Sequence, residues 1–224
     1  MSKGGTQKKE IQLIEQLLVK YPVDLFLDVG ANYGEFSVIS AYAGVKTVSF
    51  EPGLRAFAAL EETAKLYPSL TVHPFIVSDR DQDESSIYES LGSTGATSIY
   101  PVVPSTEKFH VDGKVTELKR RQVCLDSFCN NVNNLIIKVD VEGAEDCVIR
   151  GAKRLIEAAT NVAILAEWNT GIMSLIKGNP NKWWSDVVCL DNVYKMDKLG
   201  MEKISRATPY FKSCNLLLLK GFQL

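Results

Sequence analysis

The stretch Leu25-Phe26-Leu27-Asp28-Val29-Gly30-Ala31-Asn32-Tyr33-Gly34 decides the reading of this chain. An apolar run interrupted only by Asp28 passes into a turn that holds Asn32 between two glycines, and a helix-like stretch follows from Glu35. Glycine has no Cβ, so a ligand can approach the backbone of Gly30 and Gly34 closely, and the first N–H groups of the new helix point toward it. Any strand that turns into a helix can use the same pattern, so the turn alone says little. Ser49-Phe50-Glu51-Pro52 adds the second signal. Glu51 closes the next apolar run, Val45–Phe50, about 20 residues on, where nucleotide-binding folds set a carboxylate against a ribose diol. Together the two favour a nucleoside-containing ligand over a purely structural turn.

Length and composition fit one enzyme-sized domain over residues 1–224. The chain has 224 residues, 46% of them hydrophobic, enough to bury a sizeable core. Its net charge of -2 gives no basic footprint for nucleic acid. The five cysteines, Cys124, Cys129, Cys147, Cys189 and Cys214, form no Cys-x-x-Cys pair. Cys147 and Cys189 sit in apolar runs and read as buried free thiols, which implies a reducing compartment. No stretch approaches the ~18 apolar residues of a membrane span, and the N-terminus lacks a continuous apolar signal region. A cytoplasmic protein is expected, with oligomeric state left open.

Residues 1–9 read as a polar, frayed lead. Ile11, Ile14, Leu17 and Leu18 recur at helical spacing from Glu10 to Lys20, and Pro22 ends that helix. Strands and helices then alternate: strand 24–29, helix 35–43, strand 47–50, helix 55–65, and a strand 70–77 whose Pro74 suggests a sheet edge. Farther on come strand 135–141, helix 144–159 and strand 162–167. The alternation predicts an α/β fold with a parallel sheet covered by helices on both faces. Residues 79–123 break the rhythm and read as a long insertion or lid on the substrate side, with a solvated excursion as the plainer alternative. Strands 187–194 and 215–220 predict an antiparallel hairpin at one edge.

Asp28-Val-Gly-Ala-Asn-Tyr-Gly34, Glu51-Pro52, Val77-Ser78-Asp79 and Lys138-Val-Asp140-Val-Glu142-Gly143-Ala-Glu145 thus fall at the carboxyl ends of successive strands, where open α/β sheets bind ligands. In this order they resemble the FkbM-type branch of the class I S-adenosylmethionine-dependent methyltransferases. Leu125-Asp126, Gly151-Ala152 and Glu167 fit the same pattern, and the resemblance runs over residues 24–170. It implies a Rossmann-like, seven-stranded, mostly parallel sheet with an antiparallel last strand. It also implies S-adenosyl-L-methionine as cofactor, and methyl transfer to oxygen, commonly a sugar hydroxyl.

The candidate cofactor residues are Asp28, Gly30, Asn32, Gly34, Glu51, Ser78 and Asp79. Asp28 is expected to hold the turn or reach the ligand's ammonium group through water. Glu51 is expected on the ribose, because a carboxylate buried at a strand end is otherwise costly. Ser78 and Asp79 match the family's adenine position, although Ser-Asp is also ordinary turn chemistry. For catalysis the candidates are Asp140, Glu142, Lys138 and His110. Period-2 alternation would put Lys138, Asp140 and Glu142 on one strand face, either serving a ligand or pairing in a structural network. An alcohol acceptor needs a base, for which Asp140 or Glu142 lead, with His110 in the insertion behind them. His73 reads as structural. Trp168, Trp183, Trp184 and Tyr100 read either as packing or as a sugar-stacking wall. The partner expected is a small-molecule or glycan acceptor. Three other readings stay open: a metal-dependent sugar O-methyltransferase using Asp140 and Glu167, a nicotinamide-dependent reductase, and a non-catalytic binding module. The Gly-x-x-x-Gly turn and the lack of a Tyr-x-x-x-Lys pair at a helical position weigh against the reductase.

Overall fold

A helix, α1, runs from Thr6 to Lys20 and stops there because the residue before Pro22 disfavours helical backbone. The computed structural model describes residues 6–90, 93–101, 115–130, 132–176, 179–187, 190, 192–204 and 213–224. Strict alternation follows: β1 (Leu25–Val29), α2 (Glu35–Tyr42), β2 (Thr47–Phe50), α3 (Leu54–Ala64) and β3 (Leu70–His73). The expected strand 70–77 is split by Pro74, which has no N–H to continue a ladder. Beyond it β4 (Ile76–Ser78) belongs to a second sheet with β5 (Gln82–Ser90), β6 (Ser93–Ser98) and β7 (Val115–Cys124), in the order β4-β7-β5-β6. Much of the stretch expected as a loop, 79–123, is therefore β-structure.

The chain returns through α4 (Leu125–Phe128) to β8 (Asn134–Val139). The single helix expected over 144–159 is two, α5 (Glu145–Arg150) and α6 (Lys153–Ala158). They separate because the Gly151 carbonyl accepts a bond from the Asp126 backbone N–H at 2.8 Å. The Asp126 carboxylate then caps the new helix by accepting from Arg154 N and Leu155 N. Next come β9 (Asn161–Trp168), α7 (Thr170–Leu175), α8 (Pro180–Val187), β10 (Asn192–Asp197), β11 (Gly200–Lys203) and β12 (Cys214–Lys220).

Among the described residues the large sheet has eight strands in the order β11-β10-β12-β9-β8-β1-β2-β3. It is parallel from β3 through β9, while β12 runs antiparallel to both β9 and β10. The mostly parallel sheet matches expectation, with β11 as one strand more. The edge hairpin is β10–β11, and the antiparallel β12 lies inside the sheet.

Period-2 alternation divides the core between the two faces. Leu25, Leu27 and Val29 pack with Ile137, Val148 and Ile149 on one face. Phe26 and Ile136 pack on the other with Leu13, Ile14 and Leu17 of α1 and Phe36 of α2. Each such buried side chain contributes roughly 1.5–3 kcal/mol, so β1 is fixed from both sides. The glycine turn after it thus starts from a well-packed strand. Trp168 and Trp184 meet edge-on at 5.1 Å inside this core, so both are packing residues; the Trp183 side chain is outside the described part. Cys147 is only half-buried, contrary to expectation, Cys214 is buried, and Cys189 lies outside the described residues.

Candidate active site

At the carboxyl ends of β1, β2, β8 and β9 lies a cleft of about 860 Å3. One end is formed by the turn after β1. Gly30 N and Ala31 N both donate to the Phe50 carbonyl, at 2.9 and 3.1 Å, which ties the turn to β2. Gly30, Asn32 and Gly34 have φ of 76°, 50° and 83°, and Asn tolerates this region better than other non-glycine residues. Gly30 is required for a second reason: a Cβ there would sit 1.9 Å from the Asp140 carbonyl oxygen. The turn and the loop after β8 are thereby in backbone contact.

Glu51 is buried at this end. Its carboxylate accepts from Asn32 N and from Gly53 N, each at 2.7 Å. Burial pushes its pKa up to about 7, against those two bonds, with the charges of Asp28 and Glu89 adding to the rise. Asn32 Oδ1 also lines the region and is buried without a hydrogen-bond partner among the described residues. Phe75, Ile76 and Val77 form an apolar wall, β5 and β6 supply Ile87 and Thr97, and Ile99 follows β6.

Asp28 lies beneath the turn and does not line the cleft. Ser37 Oγ donates to Asp28 Oδ2 at 2.5 Å, and Ser49 Oγ donates to Ser37 Oγ at 2.8 Å. Burial raises the Asp28 pKa to about 6, although the bond from Ser37 and the Lys138 ammonium pull it down. Lys138 faces Asp28 across the β1–β8 register and lies over the Phe36 ring at 5.4 Å. Burial disfavours its charge, but Asp140, Asp28 and Glu10 outweigh that and hold its pKa above the ordinary value. Lys138 Nζ reaches Asp140 Oδ2 at 3.1 Å, pairing a buried cation with a part-exposed carboxylate.

The other end of the cleft is acidic. β8 ends at Val139, so strand alternation does not carry Asp140 and Glu142 as expected. Instead Glu142 adopts φ 54° and Gly143 φ 107°, a turn that bends the chain back. Carboxylate oxygens of Asp140, Glu142 and Glu167 lie within 4.8 Å of one another. Beneath them Glu145 is buried and accepts from Val141 N and Gly143 N, at 3.2 Å each. Burial and the nearby Glu167 charge push its pKa up to about 8. Ser98 of the second sheet donates to the Glu142 carbonyl at 2.9 Å.

Of the sequence candidates, Gly30, Asn32, Glu51, Asp140 and Glu142 line the cleft, whereas Gly34 and Lys138 support it from behind. Ser78 and Asp79 are not brought there. Ser78 is buried, and Asp79 joins Asp146 and Asp186 around the Arg150 guanidinium. His110 lies outside the described residues. Sequence reasoning missed Glu10 and Asn215. Asn215 Nδ2 donates to Glu10 Oε1, and both line the acidic end. The signal was present, since Glu10 stands at the i position of the apolar 10/13/14/17 stripe, where an acid is out of place.

The family model described as "Methyltransferase FkbM domain" matches residues 28–185. No curated protein matches the chain in sequence. Among solved structures, the chain is 12% identical to the Pyrococcus abyssi tRNA (uracil-54, C5)-methyltransferase in complex with S-adenosyl-L-homocysteine. That match covers 94% of this chain and 38% of the other, with a TM-score of 0.44. Against magnesium protoporphyrin IX methyltransferase from Synechocystis with bound SAM, identity is 11%, coverage 96% and 80%, and the TM-score 0.47. Against WbdD the values are 11%, 96% and 40%, and 0.49. The chain thus spans less than half the length of the first and third of these proteins.

Proposed function

The chain belongs to the FkbM methyltransferases, S-adenosylmethionine-dependent enzymes, and from that premise we propose that it methylates an oxygen of a small, hydroxyl-rich acceptor such as a sugar. The observation that carries this reading is the contrast between two parts of the cleft lining. One end offers a left-handed turn, a buried carboxylate and an apolar wall; the other offers Asp140, Glu142 and Glu167.

The first end suits the cofactor. Glu51 would accept from the ribose hydroxyls, and the orphaned Asn32 Oδ1 would accept from the amino-acid ammonium group. Phe75, Ile76 and Val77 would cover the base, the role expected of Ser78 and Asp79. When bound, the cofactor supplies an electrophilic methyl group on a sulfonium.

At the other end the residues act on the acceptor. Carboxylates and the Asn215 amide hydrogen-bond hydroxyls, and aligning oxygen with the methyl carbon accelerates transfer strongly. Asp140 is part-exposed in the cleft, so its carboxylate is available to take the hydroxyl proton. Lys138 orients Asp140 from behind and, staying charged, offers no competing base. The test is methyl transfer from labelled S-adenosylmethionine to a panel of sugars, nucleotide sugars and glycolipids, with the product mapped by NMR. Methyl groups found only on nitrogen or carbon would reject the oxygen assignment.

The 4.8 Å grouping of Asp140, Glu142 and Glu167 favours a second reading, in which these acids hold Mg2+ to lower the acceptor hydroxyl's pKa. Chelator treatment separates the two: turnover that survives it supports Asp140 as the base.

A further inference from the structure

Glu51 is met by acids from two sides. The charges of Asp28 on β1 and of Glu89, itself buried, on β5 of the second sheet both raise its pKa. A Cβ placed on Gly53 would lie 2.8 Å from Glu51 Oε1, 3.3 Å from Thr97 Oγ1 and 3.5 Å from Glu89 Oε1. These oxygens therefore converge on a side-chain-free backbone at the cleft wall, and a larger residue at 53 would force them apart. Two cations stand nearby. Arg55 of α3 reaches Glu89 at 3.5 Å and donates to the Ser90 carbonyl at 2.8 Å. Arg120 of β7 donates to the Pro52 carbonyl at 2.9 Å. Glu51 itself is held only by backbone N–H groups among its described bonds. A negative charge on Glu89 disfavours a second one on Glu51 and raises the Glu51 pKa.

We propose that Glu89 is a positioning residue that sets the charge on Glu51, so that cofactor uptake is linked to release of a proton and the second sheet takes part in binding. The inference rests on Glu51 as the ribose carboxylate. A protonated Glu51 is a poorer acceptor for ribose hydroxyls. Binding selects the carboxylate and the proton leaves to water, so affinity rises with pH through Glu51's titration. Glu89, with Asp28, delays that ionisation. Arg55 offsets Glu89 and advances it.

The test has two arms on the full chain. Carbon-13 NMR titration of glutamate carboxyls in ligand-free protein, assigned with Glu51→Gln, should place the Glu51 midpoint near 7. Glu89→Gln should lower that midpoint and Arg55→Met should raise it. An unmoved midpoint, or the same direction in both variants, overturns the proposal; opposite directions cannot come from general loosening. In calorimetry, S-adenosylhomocysteine should bind the wild type about tenfold more weakly at pH 6 than at pH 8, with net proton release. Glu89→Gln should flatten that dependence while matching wild type at pH 8.5. An equal loss at every pH would make Glu89 merely structural. Should S-adenosylhomocysteine bind neither protein, the ribose reading and the coupling to uptake fall together, and the carboxyl titration distinguishes that from failure of the Glu89–Glu51 pair alone.

Discussion

Over β1 and β2 the cleft's polar atoms are fixed by backbone: Glu51 sits between two N–H donors, and the turn is tied to the Phe50 carbonyl. Beyond β8 the polar atoms belong to side chains on a turn, where Asp140, Glu142 and Glu167 gather within 4.8 Å and Asp140 is part-exposed. A backbone-built region holds its polar atoms in one arrangement and so serves one ligand shape. A side-chain-built region can be retuned residue by residue, as an acceptor site must be. Methyltransferases that share a donor and differ in acceptor need both kinds of wall.

The largest expected effect tests the side-chain end. Asp140→Asn should lower turnover by ~10² or more while S-adenosylhomocysteine affinity stays within about tenfold. Full turnover in a destabilised Asp140→Asn protein would turn that end into scaffolding and erase the contrast. Next is the backbone-built end. Glu51→Gln at pH 8 should weaken S-adenosylhomocysteine by about 1.5–3 kcal/mol, with the melting temperature of the ligand-free protein kept. Wild-type affinity by calorimetry would mean that the N–H cradle needs no charge. S-adenosylhomocysteine at ~100 times its Kd should add about 2.7 kcal/mol of stability, seen as a raised melting temperature, and NAD(H) should add none.

How far these ends were legible in sequence differs for the same physical reason. Leu25–Val29 and Leu135–Val139 are nearly unbroken apolar runs, so the parallel sheet and its glycine turn could be read directly. Gln82–Ser90 and Val115–Cys124 are mostly polar because much of that second sheet faces solvent, and they read as loop. Glu89 was hidden with them. The turn at Glu142 was also invisible, since a left-handed glutamate carries no local signal and the Lys-x-Asp-x-Glu spacing imitates a strand. The ion pair of Asp79 was hidden too, because its partner Arg150 is distant in sequence.

A smaller effect probes what both ends share, namely buried acids beneath the surface. Asp28, Glu51 and Glu145 have pKa values raised to about 6, 7 and 8. Folded protein holds these protons where the unfolded chain has already released them, so stability falls as pH rises from about 5 to 8. The ligand-free protein should therefore melt higher at pH 5.5 than at pH 8.5. His73, whose burial lowers its pKa, works the other way below about pH 6.5 and trims the gain. A flat profile across this range would show that water reaches these carboxyls. The smallest effect is Glu142→Gln, expected to cost less than about tenfold in turnover if the residue positions the acceptor without taking its proton. A loss as large as that of Asp140→Asn would merge the two roles.

The placement of β12 between β9 and β10 has a consequence for how the chain comes together. β9 is made well before its neighbour on that side, and its Val162–Ala166 stretch is wholly apolar. Until Cys214–Lys220 arrives, β9 presents an unpaired, sticky margin, the kind of surface that invites association between nascent chains. Formation of the acidic end must wait for the same event, because Asn215 travels on that strand to meet Glu10 on α1. Slowing synthesis before residue 214 should therefore shift the chain toward insoluble product.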